Sequence, residues 1–459
     1  MLICQLSGIA LESTFHMLFN CFAPPSVVLI QAELFAERVW LETQRFDDAA
    51  RGVVLPLFDE IALLGFSLIL ELRRLQVPLP IEVPHCGDLD VALQARMSAQ
   101  DPLVRFYDVC ELAASAAMDG AAGEGSPRKL FCVDLAHCHA KFRGFDIKVL
   151  GVVYSRFQEL MLLDADTLFF QSPVTLWDTD KYRNTGTLFF NDRISYESSY
   201  LAARLSPEEH PNVGALHNFL ATFDVAPYRH LSVVEGGEPR AEVPNNLAGM
   251  EFGFKPSAFL LRSHVWKLRS GHQMDSSLVL WSKTRQPRAT AILASFVSLN
   301  GQPTAPSYGD KELYWLACEL AETAYAFSDF AVSAVGWELL VSGDSNNGVL
   351  CGDALQHFPV QPNSAKGPGA DVESLYMNSD NILEWGRATR RLYRTAARPA
   401  DLYPGSFTDR KLLQTCPFDV TTMALGPFET LLLTQRRQFY DVVAGWEEQD
   451  QTSWWHPFA

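Results

Sequence analysis

The stretch Tyr154–Pro173, YSRFQELMLLDADTLFFQSP, constrains this chain more than any other. Its apolar run Leu160–Leu163 ends abruptly in Asp164-Ala165-Asp166. A short apolar run bounded by polar residues predicts a strand buried on both faces, as in a parallel α/β sheet. Ligands of such sheets sit beyond the carboxyl ends of the strands, where these two carboxylates stand. In an extended segment side chains i and i+2 point to the same side, so Asp164 and Asp166 can address one cation, directly or through water. Mg²⁺ and Mn²⁺ favour such hard oxygen ligands, and a divalent ion is the usual clamp for a diphosphate. The same pattern also describes a plain strand-end turn with two solvated aspartates.

The flanking sequence alternates helix-like and strand-like runs. Glu33–Phe46 reads as a peripheral helix, Ile61–Leu75 as an apolar-striped helix ending in Arg73-Arg74, and Leu79–His85 as a strand. Residues 87–118 read as helical, Gly120–Lys129 as a loop, and KLFCVDL as a further strand. Asp146–Phe157 is a predicted short helix running straight into the central strand, so a polar residue at its start lies near that strand's ligand end. Thr185–Asn191 and Gln273–Lys283 read as strands. Thr290–Leu299 and Tyr308–Leu320 read as helices, the second entered through Gly309-Asp310. Residues 330–342 and 349–357 supply strands or turns, and Gln361–Asp371 is a flexible loop. Residues 206–257 carry no useful period and predict a long insertion placed to cover the site. The last 60 residues read as short helices mixed with proline and aromatic segments.

The balance of 37 basic against 54 acidic residues leaves a formal net charge of −17, which argues against nucleic acid or an anionic membrane as partner. With 48% apolar and 20% charged residues the composition is that of a soluble globular protein. The nine cysteines (4, 21, 86, 110, 132, 138, 318, 351 and 416) are odd in number, so not all pair within the chain, and sequence does not give the pairing. Cys132, His137, Cys138 and His139 crowd one segment; a zinc site normally shows two well-spaced ligand pairs, so core or strand-edge positions are the better expectation. Met17–Gln31 is apolar but is broken by Asn20 and Pro24-Pro25 and follows no basic region. Neither a secretory signal nor a spanning helix is expected in this sequence.

Four segments, in order, resemble the GT-A glycosyltransferases, most closely the family of the fungal α-1,3-mannosyltransferases: Leu70–Asp88; Asp146–Pro173; TGTLFFND with HQMDSSLVLWSK; and YGDKELYWLA with VLCGDALQH and SLYMNSDNI. DADTL and the helix that begins with Gly-Asp also resemble the more distant glycogenin. The resemblance implies an α/β GT-A domain, the nucleotide-diphospho-sugar transferase fold with a Rossmann-like mixed sheet and flanking helices, over 60–385. Extensions at 1–59 and 386–459 would pack on it. It implies metal-dependent transfer of mannose from GDP-mannose, in α linkage with retention, onto a glycan or glycoprotein. A UDP-sugar donor is the glycogenin-like alternative. Asp164 and Asp166 would hold Mn²⁺ (or Mg²⁺) and the donor, and His357 in CGDALQHFP matches a third metal ligand, although it also reads as an ordinary histidine. Lys148 matches a donor-binding lysine, with a solvated helix-end lysine as the alternative. Asp275 and Asp310 match carboxylates that hold the donor sugar and steady an oxocarbenium-like transition state; Asp310 alone also suits a helix N-cap. Trp281 and Trp315 read as core. The family is usually anchored in the Golgi membrane by an N-terminal helix, which this sequence does not display.

Two other readings stay open. LMLLDADTLFF fits the first motif of HAD-type phosphatases, and Gly343–Gly348 resembles their metal motif apart from Gly348, where an aspartate is required. A non-catalytic sugar-nucleotide or glycan-binding protein on a decayed transferase fold is the third, since fold alone does not give function.

Overall fold

The computed structural model describes residues 25–47, 50–118, 127–194, 198–205, 208, 212–243, 247, 249–336, 338–340, 347–351, 354–359, 372–379, 392–397, 399–400 and 420–450. Its main sheet has six strands: β1 (Arg51–Val54), β2 (Ile81–His85), β3 (Val104–Asp108), β4 (Glu159–Leu163), β5 (Thr187–Asn191) and β6 (Met274–Ser282). They lie in the order β3-β2-β1-β4-β6-β5. The first four are parallel, and β6 runs antiparallel to both β4 and β5. The expected mixed α/β sheet is therefore present.

β4 is buried as its composition demands. Leu160 and Leu162 enter one hydrophobic core, while Met161 and Leu163 enter the other on the opposite face. Period-2 alternation turns a uniformly apolar run into contacts for both layers. Helices α1 (Pro25–Glu42), α2 (Ala62–Arg74), α3 (Ile147–Tyr154), α4 (Leu313–Leu320) and α5 (Pro427–Asp450) are those needed below. In α3 every residue is buried except Lys148. Gly151 lets α3 approach the sheet, because a Cβ there would meet Pro84 Cγ at 3.1 Å.

A second sheet of eight strands lies beside the first, all of its pairings antiparallel. One edge strand is Thr167–Phe169, which pairs with Tyr376–Asn378. Asp164-Ala165-Asp166 is thus the corner at which the chain leaves one sheet for the other. Asp164 N–H donates to Ser277 C=O in β6 (2.9 Å), and Asp166 C=O accepts from Ser379 N–H (3.2 Å).

Several expectations need correction. β1 precedes residue 60, the expected start of the catalytic domain, yet it lies between β2 and β4; four residues are too few to show a period. VRFYD, expected within a helical tract, is β3: all five residues pair in register with β2, and Phe106 packs edge-on against Phe66. KLFCVDL is not an extended strand. Only Arg128–Lys129 pairs, and Cys132 is bonded to Cys138 in the following helix. That disulfide removes both sulfurs from any zinc site, and Cys86–Cys110 is a second bridge. Among the described residues of the C-terminal tract, Val420–Ala424 is a strand and Pro427–Asp450 is the 24-residue helix α5, with Pro427 at its first position. None of the described residues of 206–257 lines the cleft; Phe219 and Phe223 of that tract pack on Phe296 instead. Gln361–Asp371 and Gly343–Asn346 lie outside the described residues. Among the described residues no helix is long and apolar enough to cross a membrane.

Candidate active site

At the carboxyl end of β4 an open cleft holds about 630 Å³ of empty space, mouth included. Asp164, Asp166, Asp275 and Asp310 line it, with Lys148, Lys311 and Arg193. The topology explains the convergence. β6 is antiparallel to β4, with Leu163 opposite Leu278, so Asp275 sits three residues further along, beside the Asp164 corner. α3 delivers Lys148 from its first turn, and the turn before α4 delivers Asp310 and Lys311.

Lys148 Nζ bridges two carboxylates, Asp164 Oδ1 at 2.6 Å and Asp310 Oδ1 at 3.3 Å. Burial works against the ammonium, but those two charges outweigh it and hold its pKa above the ordinary lysine value. Burial, joined by the negative charges of Asp310 and Asp275, raises the Asp164 carboxyl to about 6 despite the lysine. Asp310 is also fixed by Tyr314, whose hydroxyl donates at 3.0 Å. Its side chain does not cap α4, whose N-cap is Glu312.

Asp275 behaves differently. Burial opposes its charge, yet the hydrogen bond and charge of His357, with Lys311 and Ser277, hold it well below the usual carboxylate range. His357 Nε2 lies 2.6 Å from Asp275 Oδ2, and Ser277 donates from both N–H and hydroxyl at 3.0 Å. The His357 ring stacks on Tyr376 with centroids 4.5 Å apart. His357 therefore sits behind Asp275 and is not among the residues lining the cleft with Asp164 and Asp166. Among the described residues no three His, Cys, Asp or Glu side chains form a group that could hold a metal ion. Trp281 and Trp315 are fully buried, as expected.

The sequence reading assigned no role to other residues that the structure brings to the cleft. Lys311 Nζ pairs with Asp192 at 2.6 Å, and burial, overcome by the charges of Asp192 and Asp275, leaves its pKa raised to about 12. Asn378 Oδ1 and Ser379 Oγ are buried at the cleft without a hydrogen-bond partner among the described residues. Buried polar atoms of that kind are costly unless something satisfies them. Lys311, Asp192, Asn378 and Ser379 all stand inside the segments GDKE, FFND and MNSD quoted above, but nothing local marks them as partners. Arg436 of α5 was also missed. Fully buried, it donates to the carbonyl of Ala165 (2.9 Å), between the two motif aspartates, and pairs with Glu71 at 3.2 Å.

A family profile described as "Mannosyltransferase putative" matches residues 50–358. "Probable alpha-1,3-mannosyltransferase MNT4" of Saccharomyces cerevisiae is 26% identical over 320 residues, covering 68% of this chain and 48% of that protein. Alpha-1,3-mannosyltransferase MNN1 of the same yeast is 26% identical over 302 residues, 63% of this chain and 35% of that protein. The chain spans about half the length, or less, of these relatives. The WbbM bifunctional glycosyltransferase apo structure aligns at 13% identity and TM-score 0.31, covering 61% of this chain and 39% of that one.

Proposed function

This chain belongs to the mannosyltransferase family whose profile spans residues 50–358, and on that premise we propose that it is a metal-dependent glycosyltransferase. It moves mannose from GDP-mannose, in α linkage with retention, onto a glycan or glycoprotein. The observation that carries this reading is the convergence of Lys148, Asp164, Asp166, Asp275 and Asp310 on one cleft at the strand ends.

The donor set suits a hard divalent cation: carboxylate oxygens of Asp164 and Asp166, with the unpartnered Asn378 Oδ1 and Ser379 Oγ in the same cleft. Asp164 and Asp166 would hold Mn²⁺ or Mg²⁺, which supplies Lewis-acid neutralisation of a departing diphosphate. His357 joins such a site through Nε2 only by giving up its bond to Asp275. Lys148, held charged, adds a fixed cation beside the phosphates. Asp275, held ionised, faces the positive charge that develops on the sugar, and Asp310 binds donor hydroxyls. These groups are already oriented by protein hydrogen bonds, so little reorganisation is needed at the moment of transfer.

The two disulfides fit an oxidising compartment and so support a place in the secretory pathway, with the Golgi as the expected one. The test is thermal-shift binding of GDP-mannose, GDP, UDP-glucose and UDP, each with and without Mn²⁺. A Mn²⁺-dependent shift with the guanine nucleotides is expected; a shift with uridine nucleotides alone would overturn the donor. Asp166→Ala is expected to abolish turnover and Mn²⁺-dependent donor binding with the fold intact, and wild-type activity in it would reject the site.

A further inference from the structure

We propose that Phe145 and Tyr308 form an aromatic platform on which a pyranose ring of the acceptor glycan stacks. The inference rests on the transferase reading above and adds the acceptor subsite to it. Both rings line the cleft, yet they remain 50% and 45% exposed. Two adjacent aromatic rings left half in water at the rim of a charged cleft form a contiguous apolar surface of the kind that marks a ligand site.

The platform is built, not incidental. The two ring centroids lie 5.4 Å apart. Tyr308 is backed edge-on by Tyr200 at 5.4 Å, and Tyr200 lies against His272 at 4.8 Å. Tyr200 takes a left-handed backbone, φ 47°, uncommon for a non-glycine residue and costly unless the surroundings impose it. Gly309, at φ +58°, lets the Phe145 ring lie on the backbone: a Cβ there would stand 2.5 Å from Phe145 Cγ.

Position selects the acceptor over the donor's base. Tyr308 is two residues from Asp310, the carboxylate assigned to the donor sugar's hydroxyls, and the Phe145 ring packs against Tyr308. The rings therefore stand beside the carboxylate assigned to the donor sugar. The base is separated from that sugar by a ribose and two phosphates. The C–H groups of one pyranose face carry partial positive charge and suit the negative face of an aromatic ring. Hydroxyls at the rim of the same pyranose meet the charged groups of the cleft.

The experiment measures two things on the same samples of wild type, Phe145→Leu, Tyr308→Leu and Tyr308→Phe. One is the melting shift with GDP-mannose and Mn²⁺. The other is NMR saturation transfer to methyl α-D-mannopyranoside. Saturation transfer is expected in wild type and Tyr308→Phe, and both leucine variants should weaken mannoside binding by about tenfold with the donor shift unchanged. Absent transfer in wild type, or transfer undiminished in both leucine variants, overturns the platform. A donor shift lost in the leucine variants assigns the rings to the donor and equally overturns it. A wild-type protein that binds mannoside but no nucleotide sugar leaves the platform standing and removes the transferase reading.

Discussion

Lys148 shows how one residue balances this site. It sits between two buried carboxylates, so removing it leaves Asp164 and Asp310 facing each other without a cation. Lys148→Ala is therefore expected to raise the donor KM by at least about tenfold, through the lost phosphate contact and the added repulsion; an unchanged KM in steady-state assays would return it to a passive role. The motif aspartates were legible in the sequence because charge after an apolar strand is conspicuous. Asp275 and Asp310 were legible only through likeness, since nothing local separates them from other helix and strand entries. Lys311 with Asp192 was not legible at all, because a pair 119 residues apart is set by topology. His217 carries a different consequence. Its Nδ1 accepts from Gly214 N–H and its Nε2 lies 3.0 Å from Trp266 C=O, so the neutral ring is satisfied on both sides. Burial pushes its pKa down to about 4. The unfolded chain protonates below its ordinary value, so stability from this residue is whole above pH 6.5. It is lost progressively down to about pH 4, by about 3 kcal/mol in all. Urea midpoints compared between pH 7 and pH 4.5 should differ less in His217→Gln than in wild type.

At the scale of elements, α5 is the least expected contributor. It lies outside the matched profile, yet Arg436 reaches the carbonyl between the motif aspartates and also pairs with Glu71, which accepts from Phe169 N–H at 2.6 Å. Arg436→Ala leaves the Glu71 carboxylate buried without its cation, which is expected to cost about 3–5 kcal/mol in a urea titration. The double change Arg436→Met with Glu71→Leu should recover most of that stability. Turnover should stay low in both variants, because the corner carbonyl has lost its donor; full activity in the double variant would reduce Arg436 to a stability element. The helix itself is hard to read because its apolar run is broken by Thr434, Gln435, Arg436 and Arg437, of which the two arginines are buried, Arg436 against Glu71 and the Ala165 carbonyl. β3 escaped for the converse reason: its residues suit either state, and five rungs against β2 decide it.

For the whole molecule, the sheet order and the site's position follow from a simple rule: a parallel sheet exposes its ligands at strand ends, and the antiparallel β6 brings a second carboxylate there. The mixed sheet was foreseeable; its central strand β1 and the eight-stranded partner sheet were not, since both depend on pairings far apart in sequence. The disulfides were beyond reach too, as nine cysteines permit many pairings. Cys86–Cys110 closes a loop 24 residues long at the end of β2. Cys86→Ser with Cys110→Ser is expected to lower stability by about 3 kcal/mol, read as a lower urea midpoint; an unchanged midpoint would show that the bridge constrains little.

The corner between the sheets has one more implication. The strand after the motif is held by Tyr376–Asn378, and the corner carbonyl by Arg436, both beyond residue 358, where the family profile ends. Both grips act on main-chain atoms. A grip on the main chain is indifferent to the side chains it holds, so what it asks of the tail is a strand in register and one buried arginine, and little else of its sequence. A fragment cut where the recognisable sequence stops would keep every signature residue and lose the frame that aims them.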